Sequence, residues 1–154
     1  MKSIANPSRR KLLEAGAGLA AIALARPVLA TPDAMKAAIA SFTGGAPLTT
    51  GKVKLEVAQL VDNGNAVPVT VRVDSAMTAA DHVSAIAIFN EKNPQPDMVR
   101  FTLGPRSGKA VVTTRVRLAT SQKLTAVARM SDGSFWSGTA DVIVTLAACV
   151  EGDS

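Results

Sequence analysis

Beyond residue 50 the apolar side chains recur at every second position. Val53, Leu55 and Val57 alternate with Lys52, Lys54 and Glu56, and Val67, Val69, Val71 and Val73 alternate with Pro68, Thr70 and Arg72. A period of two puts the two sets on opposite faces of a pleated strand. The spacing therefore predicts strands over 52–57 and 67–73, separated by a turn at Asp62-Asn63-Gly64-Asn65. Pro68 has no backbone donor for a ladder, which argues for an edge position or a bulge. Similar runs over 82–89, 98–103, 110–118, 123–130 and 135–146 complete the set. A proline-broken loop at 93–97 and a hairpin signal, Ser131-Asp132-Gly133-Ser134, punctuate them, and Gly138 is expected to bend or divide the last strand. One segment has another period: Met35, Ala38, Ile39 and Phe42 fall at helical spacing, with Thr31 to cap, Pro32 for the first turn and Gly44-Gly45 to stop it.

About seven strands at short spacing, with no helices between them, indicate an all-β, immunoglobulin-like antiparallel β-sandwich preceded by a short N-terminal helix. The likeness is architectural, because the Cys-Trp-Cys signature of antibody domains is absent. Four Phe, one Trp and no Tyr leave the core to Val, Ile, Leu and Ala. Such a core is thin, and a flat sheet face is then available to bury against a partner. The five methionines read as core filler, with Met77 and Met130 as interface candidates.

The first thirty residues follow other rules. Ser8-Arg9-Arg10-Lys11-Leu12-Leu13 precedes a small apolar run from Ala15 to Ala25, and Val28-Leu29-Ala30 supplies a small-residue cleavage signal. This is the pattern of a twin-arginine signal peptide over 1–30, with cleavage expected after Ala30. The apolar run falls short of the roughly 20 residues of a membrane span. Periplasmic localisation follows as an expectation. Twin-arginine export also suits proteins that travel folded with a cofactor or a partner; no cofactor motif is present, so a co-exported partner is expected.

The leader also accounts for the charge. The chain carries 17 Lys and Arg against 12 Asp and Glu, but five of the basic residues lie in the leader with Glu14, leaving 12 basic against 11 acidic. Near neutrality, with no basic patch interleaved with aromatics, gives no argument for nucleic acid or for a membrane surface as partner. The remaining residues, 31–154, suffice for one domain, a sandwich over 31–146 followed by a flexible C-terminal arm over 147–154.

That arm holds the only cysteine, Cys149. It excludes an intramolecular disulfide, and an odd cysteine in an exported chain points to intermolecular pairing or a reactive thiol; the competing reading is a buried, inert one. Other candidate chemistry is sparse. His82 is the only histidine, and it reads as a solvated or core strand residue rather than a base or ligand. With no second His or Cys a structural zinc site is not expected, and a Cys149–His82 nucleophilic pair would need the tail to fold back onto that strand. Arg115 and Arg117, two apart, face one side of a sheet. They read as a solvated face, with a partner rim or an anion-guiding patch as alternatives. Ser107-Gly108 reads as a turn rather than a phosphate cradle, since no strand-to-helix context follows it.

Several segments together are familiar: Asp62-Asn63-Gly64-Asn65-Ala66-Val67-Pro68-Val69, Val73-Asp74-Ser75-Ala76-Met77-Thr78, Phe89-Asn90-Glu91-Lys92-Asn93-Pro94-Gln95-Pro96, Ser107-Gly108-Lys109-Ala110, Thr114-Arg115-Val116-Arg117-Leu118-Ala119 and Met130-Ser131-Asp132-Gly133-Ser134. In order and spacing, and with the twin-arginine leader, the chain resembles the SoxY family, carrier subunits of periplasmic thiosulfate oxidation. The resemblance implies a non-catalytic carrier paired with a smaller β-sandwich subunit, SoxZ. It also implies transient visits to the cytochrome and hydrolase enzymes of that system, with sulfur intermediates held covalently on a C-terminal cysteine, here Cys149.

In that family the cysteine lies in a Gly-Gly-Cys-Gly-Gly arm, whereas this chain ends Ala147-Ala148-Cys149-Val150-Glu151-Gly152-Asp153-Ser154. The glycines that make a thin, permissive arm are gone from both sides of the thiol. Val150 is β-branched, and Glu151 and Asp153 put negative charge beside a sulfur that should accept an anion, disfavouring its thiolate. Three readings fit this tail: a working carrier serving altered partners, a SoxY-like binding module that pairs but no longer carries sulfur, or a frameshifted end. From another class, an adhesion or binding sandwich would use Cys149 only for a disulfide or for packing.

Overall fold

The helix forms where its caps are. Thr31 Oγ1 accepts the Ala34 N–H at 3.1 Å, satisfying one of the donors a first turn leaves unpaired. The helix α1 spans Pro32–Thr43 and ends on Gly44, whose φ of 64° is the left-handed geometry that glycine adopts without strain. The structure, a computed structural model, describes residues 31–146. The expected leader over 1–30 and the expected arm over 147–154, with Cys149, lie outside the described residues.

Nine strands follow among the described residues: β1 Leu48–Thr50, β2 Val53–Glu56, β3 Leu60–Asn63, β4 Val67–Val73, β5 Val83–Asn90, β6 Asp97–Thr102, β7 Val111–Val116, β8 Gln122–Met130 and β9 Phe135–Leu146. The larger sheet runs β1-β9-β8-β5-β6, with β3 also on β9, and the smaller runs β2-β4-β7. The all-β sandwich is as expected, and the seven alternating runs all became strands. Two short strands that alternation did not reveal, β1 and β3, pair with β9 in parallel, beside its first and last residues. The remaining pairs are antiparallel.

Between β1 and β3 the chain leaves the larger sheet and joins the smaller one as β2. At that crossing a Cβ on residue 138 would overlap the Val53 carbonyl, so Gly138 is required by a close backbone approach. It does not divide the strand, as its identity suggested: β9 continues unbroken through it. Pro68 also needs correction. β4 is the central strand of its sheet, but β2 pairs only with residues 70–73. At Pro68 the strand therefore has β7 on one side and no strand in register on the other.

Between the sheets, Val67, Val69 and Val71 of β4 meet Ile86, Ile88, Leu118 and Leu124, all at 1% exposure or less. Met77 and Met130 belong to this core and are not surface residues. A second cluster covers part of the outer face of the larger sheet. Met35 and Ile39 of α1 pack on Phe89, Val127 and Phe135, while Phe42 stands edge-on to Phe89 and Phe135, each at 5.9 Å. The flat face is thus covered there by the chain's own helix. Nearer the end of β9, the paired Leu60 and Ile143 remain 60% and 58% exposed.

Candidate functional site

Strand β9 ends at Leu146, three residues before Cys149, so the pole of the sandwich at which β9 ends is where the expected arm leaves. That end is well held. The Ser121 Oγ accepts the Val144 N–H at 2.9 Å, Ile143 N–H donates to the Gln59 carbonyl at 2.7 Å, and Thr145 Oγ1 donates to the Asp62 carbonyl at 3.3 Å. Asn63 in β3 sets the register beside Leu146, and its side chain accepts the Asn65 N–H at 2.9 Å to fix the following turn.

The same pole is stitched by three amides. Asn90, fully buried at the end of β5, donates to the carbonyls of Gln95 at 2.7 Å and Pro96 at 3.2 Å and accepts the Asn93 N–H at 2.7 Å. Asn93 donates to the Arg117 carbonyl at 2.6 Å, and its Oδ1 accepts from the Ala119 N–H at 3.0 Å and from Gln122 Nε2 at 2.8 Å. Gln122, 5% exposed, accepts the Lys92 N–H at 2.9 Å. Each loop at this end is thereby tied to the next, and buried amides placed this way contribute only because their partners are complete. These residues were not singled out in the sequence. The available signal was an amide at each end of an apolar run, Asn90 closing one and Gln122 opening another.

Between β6 and β7, the outermost strands of the two sheets on that side, lies an open groove of about 370 Å³. Met98, Val99 and Val116 line its apolar part, and Asn93, Gln95, Arg115 and Arg117 its polar part. The two arginines singled out in the sequence are brought together here, although Arg117 lies one residue beyond the end of β7. Asp97 also lines the groove, and its carboxylate is held by Arg100 at 2.5 Å.

His82 is at the opposite pole, just before β5. Its Nδ1 lies 3.1 Å from the Thr78 carbonyl, and its N–H donates to Ser131 Oγ at 3.1 Å. The length of β9, roughly 36 Å at ~3.3 Å per residue, separates that pole from the one where the arm leaves. Three residues reach at most about 11 Å, so a Cys149–His82 pair within one chain is out of range. Among the described residues no three His, Cys, Asp or Glu side chains group as metal ligands, and no helix is long and apolar enough to cross a membrane. Two carboxylates, half-buried Glu56 and exposed Asp132, are shifted. Lys54 and Arg72 hold Glu56 below the usual carboxylate range, and bonds from Ser134 do the same for Asp132 in the β8–β9 turn.

Comparison with known proteins agrees with this geometry. Residues 39–149 match the family model of sulfur oxidation protein SoxY, so the match ends on Cys149. Among solved structures, the sulfur carrier protein SoxY from Chlorobium limicola f thiosulfatophilum superposes with a TM-score of 0.63 at 26% identity, covering 75% of this chain and 100% of that one. The superoxide reductase (neelaredoxin) from Ignicoccus hospitalis has a TM-score of 0.55 at 20% identity, covering 76% of this chain and 95% of that one. A protein from Thermotoga maritima described as a putative superoxide reductase reaches 0.52 at 20% identity, covering 67% and 89%. The last two likenesses report the sandwich fold alone. No curated protein sequence matches the chain.

Proposed function

Because the chain belongs to the SoxY family of sulfur oxidation proteins, we propose that it is a non-catalytic carrier of sulfur intermediates, bound covalently to Cys149 and presented to partner enzymes. The observation that carries this reading is that the family match runs through the whole sandwich and ends on the chain's only cysteine. The sandwich supplies a rigid base, and the tail beyond β9 keeps its cargo close to the surface that partners recognise. A tethered intermediate stays at high effective concentration and is not lost between steps.

Loading with thiosulfate joins the thiol sulfur to the sulfane sulfur. The thiol gives up its proton, two electrons pass to an oxidant, and Cys149 is left as an S-thiosulfonate. In this reading the oxidant is a cytochrome partner, consistent with the family resemblance. Hydrolysis of the adduct then falls in this reading to a partner enzyme, as the family resemblance implies.

The twin-arginine pattern of the first thirty residues supports export to the periplasm, and a SoxZ-like subunit is the expected heterodimeric partner. The changed tail favours enzymes whose entrances accept side chains beside the cysteine, because Ala148 and Val150 stand where the family has glycine. Replacing Cys149 with Ser tests the function: thiosulfate-dependent oxidation is expected to be lost while folding is unchanged, and unchanged oxidation would exclude covalent carrying.

A further inference from the structure

Five strands among the described residues, β1, β2, β3, β6 and β7, have a sheet neighbour on one side only. Four of them carry features that discourage further pairing. β1, β2 and β3 are only three or four residues long. β6 follows Pro96, carries the Asp97–Arg100 ion pair and shifts register against β5 between Ile88 and Phe89. β7 has none of these guards. It holds six consecutive pairs with β4 in unbroken register, and every residue from Val111 to Val116 except Arg115 is β-branched.

The free side of β7 also offers a full set of backbone groups. Val73 N–H donates to the Ala110 carbonyl at 2.9 Å, which turns the backbone of residue 110 toward β4. This orientation alternates along an antiparallel ladder, so residues 112, 114 and 116 face β4, while Val111, Thr113 and Arg115 turn their N–H and C=O groups away from it. Outside the β4 ladder, none of those six groups has a hydrogen-bond partner among the described residues.

Such an edge is complementary to itself, because a two-fold axis sets each strand's donors against the other's acceptors. We propose that β7 pairs with β7 of a second copy, antiparallel, so that the two smaller sheets join into one of six strands. The register follows from the faces. Residues directly opposite each other share a face, so the axis passes through a residue. An axis at Thr113 sets Thr113 against Thr113 and Val111 against Arg115, and it is the choice that pairs all three outward residues of each copy. The two Arg115 side chains then stand four residues apart along the ladder, about 13 Å at ~3.3 Å per residue, and do not oppose one another. Six main-chain bonds make a small interface, which gives a monomer–dimer equilibrium rather than a permanent assembly. The pairing needs neither Cys149 nor sulfur, and it goes beyond the carrier reading.

Sedimentation velocity of the full-length chain lacking the leader, purified alone in reductant so that Cys149 cannot cross-link it, tests the pairing over a range of concentrations. Dimer that grows with concentration is expected. A chain that stays monomeric throughout overturns the inference and leaves the edge to another protein. Thr113→Pro removes an N–H that β4 does not use, and it should weaken the dimer about tenfold, as loss of two weak hydrogen bonds does. Thr113→Lys and Thr113→Glu, at an exposed position, each set like charges against each other at the axis and should weaken self-association about threefold. Mixing those two variants should restore a one-to-one dimer. Circular dichroism shows which variants fold, and if Thr113→Pro does not, the two charge variants decide alone. Dimers of undiminished strength in the charge variants, or a mixture of the two that associates no better than either alone, overturn the pairing.

Discussion

Replacing Gly138 with Ala asks whether β9 passes beneath the β2 crossing as a continuous strut. The added methyl would overlap the Val53 carbonyl oxygen and approach the carbonyl carbon as well. Both are backbone atoms, so no rotamer change relieves the contact. Val53 is held in register opposite Val73, and residue 138 opposite Ala126, so one of two paired strands must move. Overpacking of this kind costs about 1–3 kcal/mol, and a rigid backbone neighbour favours the upper half of that range. For a domain of this size, ~2–3 kcal/mol lowers Tm by roughly 8–12 °C. Gly104 provides the control: its φ of −155° suits any residue and nothing lies within 4 Å of an added Cβ. Gly104→Ala should stay within about 0.5 kcal/mol of the starting protein. Urea unfolding and a thermal melt of both variants decide the matter. If Gly138→Ala is as stable as Gly104→Ala, the close approach of β2 to β9 is wrong.

Two further outcomes are expected. Asn93→Ala removes bonds to the Arg117 carbonyl, the Ala119 N–H and the Gln122 amide; it should cost about 2–3 kcal/mol and speed hydrogen exchange at Ala119, and unchanged exchange there would dismiss the network. Glu56, lowered mainly by its bonds from Lys54 and Arg72, contributes stability that is present above its unfolded-state pKa and lost as pH falls through its folded value; an NMR titration should find its carboxyl below the ordinary range, and Arg72→Gln should bring it back up.

Alternation made β4 and its neighbours readable because each buries one face and solvates the other, as the strict in-out pattern of residues 67–73 shows. The helix was readable from its caps and its apolar stripe. β1 and β3 were not, since all of β1 is exposed and β3 is mostly so. Both exist because β9, distant in sequence, offers them a ladder, and no local pattern records that pairing. Gly138 was recognised as special for a different reason, because a close approach by another strand leaves the same mark in a sequence as a bend. At the candidate site the thiol and the two arginines stood out by residue type, whereas Asn90, Asn93 and Gln122 did not. Their importance comes from meeting across three loops, which only the folded chain brings about.

The central claim is that Cys149 carries sulfur, and the intact mass of the protein purified from thiosulfate-fed cells, with and without reductant and followed by a peptide map of residues 147–154, tests it most directly. The carrier account expects a sulfur-containing adduct on Cys149 that reductant removes. An unmodified thiol throughout, on a tail confirmed as Ala147 to Ser154, would contradict it.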